Sequence, residues 1–275
     1  MNLAAPRRYT FAPLQAMHYT PPQMVQLAAQ AGIWGVGLRL TPVIPGALHY
    51  PLHDDPALLR ETQAALRDTG IVVFDIELLR IGERFDAAAH ERVLATAQTL
   101  GARVINVLAD DPDLSRLAAS YASLCELAAR HGLGCEVEPT PWSPVRDVTV
   151  ARRLLTAVAQ PNVGILVDAL HWSRAAPSLD DVAALPREWI HYAQICDGRL
   201  PGPATHEGLI HDARCERLLP GEGDIDLKGL FARLPDDVPI NIEVPNDKRA
   251  AQMGHEAWAR AAVAAARRVL GDDGV

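Results

Sequence analysis

Aromatic residues and positive charge are both scarce in this chain. Phe, Trp and Tyr make up 5% of its 275 residues, and 26 Lys and Arg stand against 34 Asp and Glu, a formal net charge of −8. A nucleic-acid surface needs clustered cations with stacking rings between them, so no nucleic-acid partner is expected. Cysteine is sparse as well. Cys125, Cys135, Cys196 and Cys215 are scattered without a CxxC pair, which predicts reduced, mostly buried thiols and a cytoplasmic location. No apolar run reaches the roughly 18 residues that cross a bilayer, and MNLAAPRRYTFAPLQ at the start holds no apolar run of signal length, so neither membrane nor secretion is expected. With 49% hydrophobic and 22% charged residues, the chain has the material for one large core and is not disordered.

What is present is a regular alternation. Short β-rich runs occur at Tyr9–Phe11, Trp34–Arg39, Ile71–Glu77, Arg103–Val107, Gly134–Glu138, Val163–Asp168, Trp189–Cys196 and Ile240–Glu243. Helical patterns lie between them near Pro21–Gln30, Pro56–Thr69, Ala87–Leu100, Asp113–His131, Val148–Ala159, Leu179–Leu185, Leu227–Leu234 and Glu256–Leu270. Thr20-Pro21 and Asp55-Pro56 read as helix starts, with a side-chain oxygen to satisfy a free N–H and proline where no donor is needed; Gly32 and Gly70 read as stops. Strict alternation implies parallel strands with right-handed crossovers, and eight repeats in about 250 residues close into a barrel. The predicted fold is therefore an α/β single-domain (β/α)8 TIM barrel. An open doubly wound sheet is disfavoured, because no GxGxxG or GxxxxGK[ST] loop follows the first strand. Two long connections, Thr41–Asp54 and Asp197–Asp226, follow strands and so belong to the C-terminal face, where such barrels build active sites.

Four polar side chains end four strands of the second half: Glu138, Asp168, Gln194 and Glu243. A lone acid at a strand end is most often a helix cap, and Asp168 is placed to cap a turn beginning at Ala169. Four independent caps are a poorer account. Carboxylates gathered at parallel strand ends repel and lose hydration unless a cation offsets them, and hard oxygen ligands suit Mg²⁺ or Mn²⁺, or a borderline Zn²⁺ or Co²⁺. One divalent metal ion is the expected cofactor. His171, three residues past Asp168, is expected at the rim of the same pocket as a proton carrier or donor; the structural alternative is a loop histidine packed on Trp172.

The segments CEVEP, ILVDALH, YAQICDG, LLPGEGDIDL and INIEVPND make the chain resemble the xylose-isomerase-like superfamily of sugar isomerases and epimerases over nearly its whole length. That resemblance implies a divalent ion held by Glu138, Asp168, Gln194 and Glu243, with Glu138 and Glu243 also an acid/base pair. The implied reaction is proton abstraction next to a carbonyl through a metal-stabilised enediolate, giving an isomerase or epimerase of a small polyhydroxylated carbonyl compound. One departure stands out. The epimerases usually carry histidine where this chain has Gln194, and glutamine there, with spacings of 30, 26 and 49 residues, looks like the bacterial 3-dehydroshikimate dehydratases. The alternative function is thus a dehydratase of a cyclic keto acid or inosose. A DNA-repair endonuclease would need more zinc ligands and a basic face, and a non-catalytic binding barrel would not need two proton-transferring carboxylates.

Arg39 and Glu77, ending the second and third strands, are candidate contacts for a substrate carboxylate and hydroxyls. Arg214 and Arg217, in HDARCERLLPGEG, are candidates for anion capture as the long loop closes. His206, His211 and Glu222 are weaker candidates. Pro220-Gly221-Glu222-Gly223 is a poor phosphate cradle because of its glutamate, so an unphosphorylated substrate is expected. Homo-oligomerisation through apolar residues of the outer helices stays open.

Overall fold

The computed structural model describes residues 7–272. Its strands are β1 (Tyr9–Phe11), β2 (Gly35–Arg39), β3 (Val72–Ile81), β4 (Val104–Ala109), β5 (Gly134–Val137), β6 (Val163–Ile165), β7 (Val167–Asp168), β8 (Ala193–Ile195) and β9 (Ile240–Ile242). All pair in parallel, in the order β6-β5-β4-β3-β2-β1-β9-β8-β7. β6 and β7 are two halves of the expected sixth strand, interrupted at Leu166. The lower half pairs with β5 and the upper half with β8, so the sheet returns on itself as a (β/α)8 barrel.

The helices α1 (Pro21–Gln30), α2 (Pro56–Thr69), α3 (Glu91–Thr99), α4 (Leu114–Arg130), α5 (Val148–Val158), α6 (Ala169–Ala175), α7 (Leu179–Ala183), α8 (His206–Cys215), α9 (Leu227–Phe231), α10 (Asp247–Met253) and α11 (His255–Leu270) surround it. Capping chemistry explains several boundaries. The Asp55 carboxylate accepts from the Ala57 and Leu58 N–H groups, Pro56 fills the donor-free first position, and Gly70 ends α2 at φ 73°. At α1 Gln23 reaches back, its Oε1 accepting from the Thr20 N–H at 2.9 Å.

Some expected boundaries move. The third strand runs on to Ile81, past Glu77. The seventh contracts from Trp189–Cys196 to Ala193–Ile195, because Arg187–Trp189 turn into a 3₁₀ helix behind Pro186. The segment Asp197–Asp226 is not a plain loop: it carries α8, capped by Thr205, and it is pinned at its base by buried Asp197. That carboxylate accepts from the N–H groups of Gly198, Gly221 and Ile225 at 2.8, 2.9 and 3.2 Å. The Gly221 amide is therefore already spent on Asp197 and does not serve as a phosphate donor. The helices α6, α8 and α10 lie outside the eight expected helical patterns, in segments read as strand ends and loops.

The main apolar core lies between the sheet and the helices and includes Phe11, Leu94, Tyr121 and Trp258. Trp258 also closes the layer with a hydrogen bond, donating Nε1–H to the Val244 carbonyl at 2.9 Å. A smaller cluster of Phe74, Val104, Leu166 and Tyr192 plugs the inside of the barrel. Beside it the interior is polar. The register between β2 and β3 slips at Phe74, so that Gly37 faces Asp75. Asn241, on β9, donates Nδ2–H across the barrel to Asp75 Oδ1 at 3.1 Å. Among the described residues all four cysteines are free, and no helix is long and apolar enough to cross a membrane.

A β-carbon at Gly37 would lie 2.5 Å from Asp75 Oδ2, inside any real contact distance. Gly37→Ala is expected to destabilise the barrel by about 1–3 kcal/mol, seen as a lowered thermal midpoint. An unchanged midpoint would show that Asp75 has room to move.

Candidate metal centre and active site

Parallel pairing brings the four polar strand ends to one mouth of the barrel. Asp168 and Gln194 are register partners on β7 and β8. Glu243 directly follows β9 and is held by its N–H on the Ile195 carbonyl at 3.2 Å, and Glu138 directly follows β5, its N–H on the Val107 carbonyl at 3.1 Å. All four are buried.

The charge that sits among them is Arg217, only 1% exposed. Its Nη1 donates to Asp168 Oδ2 at 2.6 Å, its Nη2 lies 2.8 Å from Glu243 Oε2, and its Nε donates to the Ala213 carbonyl at 2.8 Å. This corrects the expectation of a loop arginine waiting for an anion: the guanidinium is already engaged by two carboxylates. Arg39 is likewise paired, donating to Glu77 Oε2 at 2.7 Å. Arg214 has no carboxylate partner among the described residues. Partial burial and the nearby Arg39 charge hold its pKa below the usual arginine value.

His171 is not on a rim loop. It is buried in the first turn of α6, its N–H donating to Asp168 Oδ1 at 2.8 Å and its ring edge-on to Trp142, not Trp172, at 5.0 Å. Asp168 thus caps α6 with one oxygen and receives Arg217 with the other, so the capping reading and the site reading both apply. Nε2 of His171 stands 3.6 Å from Glu138 Oε1.

The donor set fits a divalent ion. Glu138, Asp168 and His171 offer one atom each, all within 4.8 Å of one another. Gln194 donates to Glu77 Oε1 at 3.3 Å, yet its buried Oε1 has no hydrogen-bond partner, nor does His171 Nδ1. Glu243 lies outside the compact group, drawn to Arg217. Sequence reasoning gave His171 no place among the ligating atoms, since its buried orientation follows from a helix of seven residues that has no periodic signal.

Electrostatics separates the carboxyl groups. Burial, then the charges of Glu243, Asp168 and Glu77, push Glu138 well above the usual carboxylate range. Burial raises Glu243 to about 8 against the pull of Arg217. Burial acts upward on Asp168 too, but the Arg217 charge and the hydrogen bonds from His171 and Arg217 outweigh it and hold that group low. Burial depresses His171 to about 4, so the imidazole is neutral at neutral pH.

A small cavity of about 60 Å³ opens here, lined by Arg39, Glu77, Glu138, His171, Arg214, Arg217 and Glu243. Two residues unforeseen in sequence support the site. Asn106 donates Nδ2–H to Glu138 Oε2 at 2.9 Å, and Trp142 walls the cavity beside His171. Asn106 had a signal, a lone amide between apolar neighbours in VINVLA. Trp142 had none beyond its place in the loop after Glu138. The weaker candidates fall outside: His211 pairs with Glu216 at 3.4 Å, Glu222 with Arg249 at 3.0 Å, and His206 is exposed at the start of α8.

Residues 25–269 match the model of the xylose isomerase-like TIM barrel family, and the chain belongs to that family. Among curated proteins it is 30% identical over 179 residues to 3-dehydroshikimate dehydratase of Pseudomonas aeruginosa; the alignment covers 61% of this chain and spans 27% of that protein. Among solved structures it resembles the IolI protein with a binding zinc atom, at TM-score 0.77 and 16% identity over 96% of this chain and 98% of that one. D-allulose 3-epimerase from Methylomonas has TM-score 0.66 and 16% identity over 97% and 100%. At such identities the structures speak for the fold alone. Enzymes of more than one reaction class are thus among the relatives.

Removing Arg217 leaves Asp168 and Glu243 buried without their cation. In chelator-treated protein Arg217→Gln is expected to lose about 3–5 kcal/mol, part of it regained on adding Mn²⁺; equal unfolding midpoints for variant and parent would remove Arg217 from this role. The raised Glu243 also gives a signed pH dependence. Between its ordinary 4.5 and about 8 the metal-free native state holds a proton that the unfolded chain releases, so stability falls as pH rises through that window. Thermal midpoints at intervals from pH 5 to 8.5 check this, and a rise across the upper half of that range contradicts it.

Proposed function

We propose that this chain is a divalent-metal-dependent lyase that dehydrates a small polyhydroxylated keto acid. The observation that carries the reading is the arginine pair on the cavity: Arg39 and Arg214 border the space that also holds Glu138 and Glu243, and Arg214 has no carboxylate partner of its own. A planar guanidinium at a cavity edge is suited to a carboxylate and has little to offer a neutral sugar. The amide at Gln194, in place of the usual histidine, and the similarity to a curated dehydratase support the same reading.

Glu138, Asp168 and His171 would hold the ion, with the unpartnered Gln194 Oε1 as a further donor, and Glu243 would join them on parting from Arg217. When bound, such an ion supplies a Lewis acid that acidifies the C–H beside a carbonyl. The chain's own groups do the rest. Asn106 orients Glu138, whose carboxylate takes the proton. Loss of the β-hydroxyl with that proton releases water and leaves a double bond conjugated to the carbonyl. Neutral His171, its Nε2 3.6 Å from Glu138 Oε1, stands beside that carboxylate without adding a positive charge. Arg39, steadied by Glu77, and Arg214 receive the substrate carboxylate.

An isomerase or epimerase is the second reading, favoured by the presence of both Glu138 and Glu243 on the cavity, since removing a proton from one face and returning it on the other uses two carboxylates.

Incubation with 3-dehydroshikimate and with a panel of ketoses, in D₂O with Mn²⁺, tests the two. A new ultraviolet band from the keto acid is expected, with Glu138→Gln slowing turnover by about 10²–10⁴ and Arg214→Gln raising KM by about 10–100-fold. Deuterium entering recovered ketoses without such a band selects the second reading, and neither signal removes both.

A further inference from the structure

A second polar assembly lies at the opposite mouth of the barrel, among residues that precede strands. An open cavity of about 860 Å³ is bordered there by Arg103 before β4 and His191 before β8, with Phe74 and Val104 on its floor. It shares no residue with the cavity at the C-terminal mouth.

His191 is built into place. Its Nδ1 lies 2.6 Å from Oε1 of Glu136, a β5 residue with no solvent exposure, and no hydrogen bond takes up Nε2. Two glycines make room for that carboxylate: a β-carbon at Gly164 would fall 2.0 Å from Glu136 Oε2, and one at Gly134 3.3 Å from Oε1. Glu136 Oε2 has no hydrogen-bond partner among the described residues. A buried carboxylate with one oxygen unsatisfied is costly, and an apolar side chain would fill the space better if packing were its only task. A buried carboxylate holding one imidazole nitrogen and leaving the other free is how a histidine is aimed at a ligand.

The charges around the cavity are unevenly matched. Arg187 is tied to Asp237 at 2.7 Å. Arg8 lies over the Trp34 ring at 4.7 Å and, among the described residues, donates to the Asp237 carbonyl alone. Arg103 has no carboxylate partner among the described residues. Glu188 also stands on the lining. The Arg187–Asp237 and His191–Glu136 pairs are internally balanced and Glu188 offsets one of Arg8 and Arg103, so one positive charge remains: one added negative charge is balanced and a second is not.

We propose that this cavity binds a small monocarboxylate with an aromatic or alicyclic body, its carboxylate received by Arg103 and His191 and its ring lying on Phe74 and Val104. Benzoate is the probe, titrated calorimetrically into metal-free and metal-loaded protein, with phenyl phosphate as the comparison anion. Saturable one-site binding of benzoate is expected, equal in both forms and unchanged in Glu138→Gln. It should weaken at least tenfold in Arg103→Gln and in His191→Gln, and phenyl phosphate should bind more weakly than benzoate. Arg103 is exposed, so its variant keeps the fold even if His191→Gln does not, and thermal unfolding of both checks that. No saturable binding, binding indifferent to Arg103→Gln, or binding lost in Arg214→Gln would each overturn the site, and tighter binding of phenyl phosphate would overturn the carboxylate as its ligand.

Discussion

A single guanidinium, withdrawn from water and shared between Asp168 and Glu243, is the interaction on which the C-terminal mouth depends. Parallel strands ending in acids would otherwise set like charges side by side in a poorly hydrated space. Arg217 neutralises part of that charge, and its own desolvation is offset by three further contacts, to Ala213, Cys196 and the Glu243 carbonyl. Glu138, which it does not reach, holds its proton more tightly because of burial first and the neighbouring carboxylates next. A divalent ion entering here would therefore meet a site already partly balanced, and its binding would be coupled to proton release and to a rearrangement of hydrogen bonds.

The same economy appears in how side chains are placed. Asp168 ends a strand, starts a helix and faces the site at once, and the helix it starts delivers His171 to Glu138. Glu77 links Arg39 on one side to Gln194 on the other, so the first and second halves of the barrel meet through one carboxylate. Side chains placed in this way are held by strands and by buried hydrogen bonds, which is what a preorganised site requires.

Most of the barrel could be read from residue pattern. Alternating apolar runs, Asp and Thr before proline, and glycines at φ > 0 gave eight strands and the long helices, because each of those signals is local. Strand alternation also placed Glu138, Asp168, Gln194 and Glu243 at one end. Harder to see were facts that depend on what lies across the barrel. That Arg217 is consumed by acids from two strands, while Arg214 three residues earlier is not, follows from the way α8 ends and the chain turns back, and no spacing encodes it. The burial of His171 is equally unencoded, because it follows from the short helix α6 that Asp168 starts. Glu136 precedes Glu138 by two residues, and nothing local announces that its partner is His191, 55 residues on in a stretch expected to be strand.

The interruption at Leu166 divides the hydrogen-bonded ladder into two bodies, one running from β1 to β6 and the other from β7 to β9, joined by the β9–β1 pairing and by that one residue. Asp168, Gln194 and Glu243 belong to the second body, and so do both carboxylates gripped by Arg217. Glu138 alone belongs to the first. An ion held by Glu138 together with Asp168 would reach across this seam, as the arginine does not, and would act as a clasp: loading the site and fastening the cylinder shut would be one event.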